Sequence, residues 1–386
     1  MKQLVKETNL GKKGMSSDIL RCIATLAVFL LHGRSHITKI NELPYVLKWI
    51  SCFPAWAGVW IFLFLSGYGV GYGFFSGKYN LYQNNRISLK LFVKFYIGRF
   101  IKIAPIYYIY CIIFEVLSGN MYFWSNQKVL IRMFTFTFNG NDGISGLGHL
   151  WYISLAMQLY LFMPIIYLIV NRIKRNKKGW ILLFGGIAIC GMFVRWYIVS
   201  KGYPWYTYSY TNCWTNIDLI ALGMMVSKIK LEFNIAVNNK NTIKICAGGL
   251  FAALFLYNCY IYEIASANYI FIYQCILPTA YAINCSLILL LSDGCFKISN
   301  SGFIEKVITS FSKYSYAFYI WHIAVFQYLD ITLIQTQWFN ELGACGQYII
   351  FFVVCIIINL ILAIPFTYMS KEVSLEYSKI EKQVFK

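Results

Sequence analysis

Residues 17–36 read SDILRCIATLAVFLLHGRSH, an apolar run that carries Arg21 near its start and ends in His32. Eleven residues at about 100° each bring the chain some 20° past three full turns, so Arg21 and His32 are expected on one helix face. Their axial separation is then roughly 16 Å, about half the hydrocarbon thickness of a bilayer. Ionisable side chains at such depth are costly and by default mark a function. Taken singly, Arg21 also fits a snorkelling anchor at the helix mouth. The aligned pair is harder to dismiss.

The rest of the chain extends the same reading. It has 386 residues, 59% hydrophobic and 13% charged, where a soluble domain is about half apolar and about 25% charged. The expected fold class is an all-α integral membrane protein with about ten transmembrane helices. The spans fall near 17–36, 56–75, 97–118, 147–170, 180–199, 212–229, 243–262, 269–291, 314–335 and 345–368. The net charge of +19 is spread in short clusters between apolar runs. That is the positive-inside pattern and not a nucleic-acid face, so no nucleic-acid partner is expected. With the N-terminus inside, 27 of the 34 basic residues lie at the inner face, and Arg195 is among the seven counted outside. Both termini are therefore expected in the cytoplasm, and residues 1–386 form one transmembrane unit with short basic tails. The first run lacks a small-residue cleavage site and reads as a retained helix. The twelve cysteines are scattered without a C-x-x-C pair. They fit small buried hydrophobes, and no metal site is expected.

Several stretches add polar groups to apolar runs. The second span, WAGVWIFLFLSGYGVGYGFF, carries Gly67, Gly69, Gly71 and Gly73, a spacing that lets another helix approach closely. Ser66 and Tyr68 lie beside them. At the mouth of the third span stand Lys94, Arg99 and Lys102, with Pro105 just inside; they suit ordinary anchoring or an anion site. His149 opens the fourth span, followed by Trp151 and Tyr152, a pair that an interfacial aromatic belt alone would explain. Asp218 and His322 lie within the sixth and ninth spans. All four histidines (32, 36, 149 and 322) fall in or at spans and none in a cytoplasmic loop.

Together these stretches resemble the acyltransferase-3 family of integral membrane acyltransferases. Asp18, Arg21 and His32 match its D-x-x-R start and R-x10-H signature. FLFLSGY at 62–68 stands in place of its F-x-x-SG segment. Arg99-Phe-Ile-Lys102 with Pro105 matches its basic R-x-x-R motif with lysine as the second cation, which keeps the charge but loses a planar fork. GHLWYIS at 148–154 and YIWHIAVF at 319–326 look like its H-L-W and Y-x-W-H segments.

The resemblance implies acyl transfer, usually acetyl, from cytoplasmic acyl-CoA to a hydroxyl of a cell-surface polysaccharide or lipid-linked sugar, in a bacterial cytoplasmic membrane. It implies acetyl-CoA as a donor substrate and no tightly bound cofactor. His32, Arg21 and Asp18 would be catalytic, and Arg99, Lys102, Lys94 and Arg21 would hold the coenzyme. His36, His149, Trp151, Ser66, Tyr68, Asp218 and His322 would face the acceptor or pocket, with Asp218 or Tyr68 as possible orienters of His32. Thioester-to-alcohol transfer needs a base and donors for a tetrahedral oxyanion, and a neutral imidazole is the natural base. A polysaccharide exporter is the competing class, though it would need no basic site for a nucleotide-like donor. A polymerase fits less well, because the longest outside loop is short.

Overall fold

Helix α1 (Met15–Arg34) carries Asp18 in its first turn and Arg34 in its last, charges that complement the helix dipole. Leu20, Ala24, Ala27 and Val28 recur at helical spacing and are buried. The helix lies against α3 (Ala55–Phe75) and α10 (Phe303–Thr332). The computed structural model describes residues 15–51, 55–84, 86–119, 125–140, 146–173, 177–233, 248–253, 256, 272–291 and 302–384. Within them, seven helices are long and apolar enough to cross a membrane. Helices α8 (Ile217–Phe233) and α10 occupy two further expected spans without reaching that length or hydropathy. Of the expected span 243–262, only residues 248–253 and 256 are described, and the rest lies outside the described residues. An all-α membrane architecture stands.

Close packing accounts for Gly67 and Gly71 of α3 but not for Gly69. A Cβ on Gly67 would land on the carbonyl of Ile220 in α8, and one on Gly223 would land on the carbonyl of Phe64. A Cβ on Gly71 would meet Ser227 Oγ at 2.5 Å, whereas Gly69 has open space around it. Gly67, Gly71 and Gly223 therefore let the two backbones touch, as small residues do between membrane helices.

Helix α4 (Leu89–Ser118) contains Pro105 and ends at Gly119, whose φ of 65° is the left-handed cap that favours glycine. In the proline turn, Tyr316 donates from its hydroxyl to the Ile103 carbonyl at 2.8 Å, tying α4 to α10. Short helices α2 (Tyr45–Ser51), α5 (Gln127–Phe134) and α11 (Gln337–Glu341) lie between the long ones. Asn126 caps α5 by accepting from Val129 N, and Tyr107 and Tyr108 donate to its last carbonyls, those of Met133 and Phe134. The remaining long helices are α6 (Trp151–Arg172), α7 (Lys177–Ser200), α9 (Leu277–Leu291) and α12 (Ala344–Val384).

Helix α12 has 41 residues, roughly 60 Å at the helical rise and about twice a bilayer's hydrocarbon thickness. Its far end runs back along α4, where Glu381 pairs with Lys94 at 2.7 Å and Ser370 donates to the Lys102 carbonyl at 3.4 Å. Lys94, Arg99, Lys102 and the start of α1 thus share one end of the bundle, and His32 lies toward the other.

The α3–α8 contact sets a test. Gly67→Leu would force the two backbones apart, and overpacking of this kind costs about 1–3 kcal/mol or more. Thermal unfolding in detergent should show a clear drop in midpoint for Gly67→Leu and little change for Gly69→Ala.

Candidate active site

Helices α1 and α10 run parallel and exchange polar contacts at three levels. At the first, Arg21 Nη1 donates to Ser312 Oγ at 3.1 Å, and Ser312 Oγ donates to Asp18 Oδ1 at 2.6 Å. Arg21 and Asp18 themselves stand 3.6 Å apart. Arg21 to His32 is eleven residues on α1, and Ser312 to His322 is ten on α10. The two helices therefore keep step, and the expected common face of Arg21 and His32 is the face toward α10.

The second level is a pair of imidazoles. His32 Nδ1 and His322 Nε2 are 2.8 Å apart, with ring planes only 4° from parallel. His322 Nδ1 lies against the backbone carbonyl of Tyr319, one turn earlier on α10. A carbonyl can only accept, so Nδ1 of His322 carries a proton. In neutral His322, Nε2 is then a lone pair, and it accepts from Nδ1–H of His32. That leaves Nε2 of His32 unprotonated. The tautomer of His32 is thus set through its neighbour by one backbone carbonyl.

His149 is fixed in the same way. A 3₁₀ turn at Gly148–Leu150 carries it into the bundle, where it is 5% exposed. Its Nε2 donates to the Ile320 carbonyl at 2.9 Å, and Tyr319 donates its hydroxyl to the His149 carbonyl at 2.5 Å. Nδ1 of His149 is buried without a hydrogen-bond partner among the described residues. It is a second bare acceptor, and its ring centre lies 5.0 Å from that of His322.

The third level joins His36, just past the end of α1, to Asp330 near the end of α10. His36 Nδ1 donates to Asp330 Oδ2 at 2.6 Å, and Phe326 and Phe351 flank the ring.

His32, His36 and His149 all line one cavity of about 490 Å³. Trp56, Trp151, Tyr206, Tyr210 and Tyr319 supply aromatic walls, and Gly146 and Gly148 supply bare backbone. A few polar groups converging in an aromatic cleft of this size is the usual form of a small-molecule site. Burial pushes the Tyr206 phenol up to about 12, so it stays a neutral hydroxyl able to donate.

Not every expected residue lies here. Tyr68 accepts from Lys230 Nζ at 3.3 Å, with the ammonium 5.3 Å from the centre of its ring, and Ser66 lies against Tyr152 of α6. Neither lines the cavity, and the group that orients His32 is His322, not Tyr68 or Asp218. Arg99 donates to the Tyr79 hydroxyl and lies over the Tyr79 and Phe95 rings, at 5.0 and 5.7 Å from their centres. Lys102 is exposed, and Lys94 is held by Glu381. Ser312, Tyr206, Trp56 and Asp330 were not singled out from sequence. Of these, only Asp330, an acid within an apolar run, left a signal there.

A bundle of apolar helices around a buried histidine cluster defines a multi-pass membrane protein. A family model described as an acyltransferase domain matches residues 16–368. The chain belongs to the acyltransferase-3 family and is a membrane acyltransferase. No curated protein matches it, and no solved structure does.

Two buried charges stand apart from this site. Arg195 in α7 is 2% exposed and Asp218 in α8 is fully buried. The guanidinium meets both carboxylate oxygens, at 3.1 and 2.8 Å. Arg195 also donates to the Thr215 and Cys275 carbonyls and to Thr279, whose hydroxyl donates to Asp218 at 2.6 Å. Asp218, expected in the pocket, is thus spent on holding α7, α8 and the start of α9 together. Arg195, counted as an outside charge, is a core residue. Asp218→Asn leaves a buried guanidinium without its counter-ion, a loss worth about 3–5 kcal/mol. Thermal unfolding should show that loss, with the activity of the surviving folded protein unchanged. The double variant Arg195→Met with Asp218→Leu should recover much of it.

Proposed function

We propose that the protein transfers an acyl group, acetyl in the simplest case, from acyl-CoA to a hydroxyl of a cell-surface polysaccharide or lipid-linked sugar. The observation that carries this reading is the bare Nε2 of His32, aimed by His322 and set in the wall of an aromatic cavity. Family membership supplies the acyl chemistry, and this lone pair supplies a group to perform it. It can take the proton of an attacking hydroxyl, or take the acyl group itself.

The acceptor fits the aromatic cavity, whose Trp56, Trp151 and Tyr210 rings offer flat apolar faces to the C–H side of a sugar. The neutral Tyr206 hydroxyl offers a donor to its hydroxyls. The donor enters from the opposite end. We read that end as cytoplasmic from the count of 27 inner basic residues against seven outer ones, six once the buried Arg195 is set aside, which puts both termini on the inner side of a bacterial cytoplasmic membrane. Arg99, its guanidinium plane steadied by Tyr79 and Phe95, suits a coenzyme phosphate. Lys102 is exposed at the same end, and Lys94 is paired with Glu381. The pantetheine arm is long and thin, and it would pass Arg21 to reach His32 about 16 Å deeper. Asp18 and Ser312 hold Arg21 at that entrance.

His32→Ala tests the reading. It should abolish sugar acylation while leaving acyl-CoA binding, measured by titration of the purified protein, within a few-fold of wild type. Wild-type turnover in that variant would return His32 to a packing role. On the donor side, Arg99→Ala should weaken acyl-CoA binding about tenfold or more, the worth of one charge-assisted contact. Arg172→Ala, at the exposed end of α6, should leave binding near wild type. Equal affinities in the two variants would make Arg99 a topology anchor.

A further inference from the structure

The cavity holds two histidines whose rings are backed by different partners. His32 is backed by a neutral imidazole, His322, at 2.8 Å, and His36 by a carboxylate, Asp330, at 2.6 Å. In each case Nδ1 is the held nitrogen. Neither Nε2 has a hydrogen bond to any described residue, and both rings line the same cavity. The partners suit the rings to different work. A carboxylate on Nδ1 keeps Nε2 bare and stabilises the imidazolium formed when Nε2 takes a proton, the arrangement of a general base. A neutral imidazole on Nδ1 gives less help to a cation but can receive the Nδ1 proton, which suits a ring that must acquire a carbon substituent and stay uncharged.

Resting on the acyltransferase reading, we propose that the reaction is a double displacement divided between these rings: His32 carries the acyl group and His36 is the base for the acceptor. In the first half, His32 Nε2 attacks the thioester carbonyl carbon. The C–S bond breaks, and the thiolate leaves with the bonding pair. The Nδ1 proton of His32 passes to His322 Nε2, so the acyl-imidazole is neutral and His322 holds the positive charge. In the second half, the sugar oxygen attacks the acyl carbon while its proton goes to His36 Nε2. The C–N bond breaks with its electrons returning to His32, whose Nδ1 recovers the proton from His322. His36 then gives its proton to water and the thiolate takes one from water, so each turnover makes one ester and one thiol. Asp330 is a positioning residue in the second half only.

The two halves separate in an exchange experiment that needs no acceptor. Purified full-length protein is incubated with acetyl-CoA and radiolabelled free coenzyme A, and label entering acetyl-CoA reports the first half. Wild type should exchange, and His32→Ala should fall at least a hundredfold. His36→Gln and Asp330→Asn should exchange within about threefold of wild type, yet transfer acetyl to sugar at least thirtyfold more slowly. Loss of exchange in His36→Gln and Asp330→Asn alike, or wild-type transfer in His36→Gln, would overturn the division of labour. Wild type that transfers acetyl without exchange would overturn the double displacement and leave the acyltransferase reading standing. Wild type that neither exchanges, transfers nor binds acetyl-CoA would fail the reading itself.

Discussion

A polar group inside a bilayer has no water to turn to, so it must find its partner on a neighbouring helix. The site is built on that constraint. Asp18 and Arg21 meet Ser312, His32 meets His322 and His36 meets Asp330. These contacts fix the axial register of α1 against α10, and the register in turn fixes which imidazole nitrogen faces the cavity. A slide of one helix by a single turn, roughly 5.4 Å, would unmake all three levels together. The alignment of Arg21 with His32 is therefore a packing rule, and on the proposed function a functional one as well.

Backbone carbonyls do unusual work here. The carbonyls of Tyr319 and Ile320 sit on adjacent residues of α10, and each accepts a hydrogen bond from a histidine ring, that of His322 and that of His149. Because carbonyls never donate, two successive peptide units set the tautomers of two rings and, through His322, of a third. Side chains could be exchanged by mutation; these acceptors could not. A mechanism that depends on a bare nitrogen gains from having its tautomer set by groups that cannot titrate.

Much of the site was legible in the sequence, and the limits have physical causes. The Arg21–His32 face followed from helix periodicity, which tertiary packing does not alter. The glycines of α3 were read as close packing, and Gly67 and Gly71 prove to touch α8. The partner of His32 was missed because periodicity orders residues along one helix and says nothing of which helix stands opposite. Asp330 was missed for the same reason. Arg195 was misplaced by the logic of counting cations, which treats each as a surface charge seeking water, whereas this one has a buried carboxylate. An arginine inside an apolar run could have been read against Asp218 in the next one. Tautomers lie beyond the reach of sequence, since they depend on where a carbonyl points.

The three levels also differ in charge, and the order follows depth. Asp18 and Arg21, at one rim, have side chains 16% and 25% exposed, and His36 and Asp330, at the other, are 19% and 38% exposed. Between them, His322 is 1% exposed. Ion pairs at the rims keep part of their hydration, so their desolvation cost is moderate. A carboxylate at the position of His322 would be a buried anion with only His32 to balance it, and that cost would reach several kcal/mol. An imidazole there can be neutral at rest and, in the proposed double displacement, charged only while it holds the proton of His32. The deep partner is therefore a histidine for the same reason that the rim partner can be an aspartate: the bilayer tolerates a transient charge at its middle far better than a permanent one.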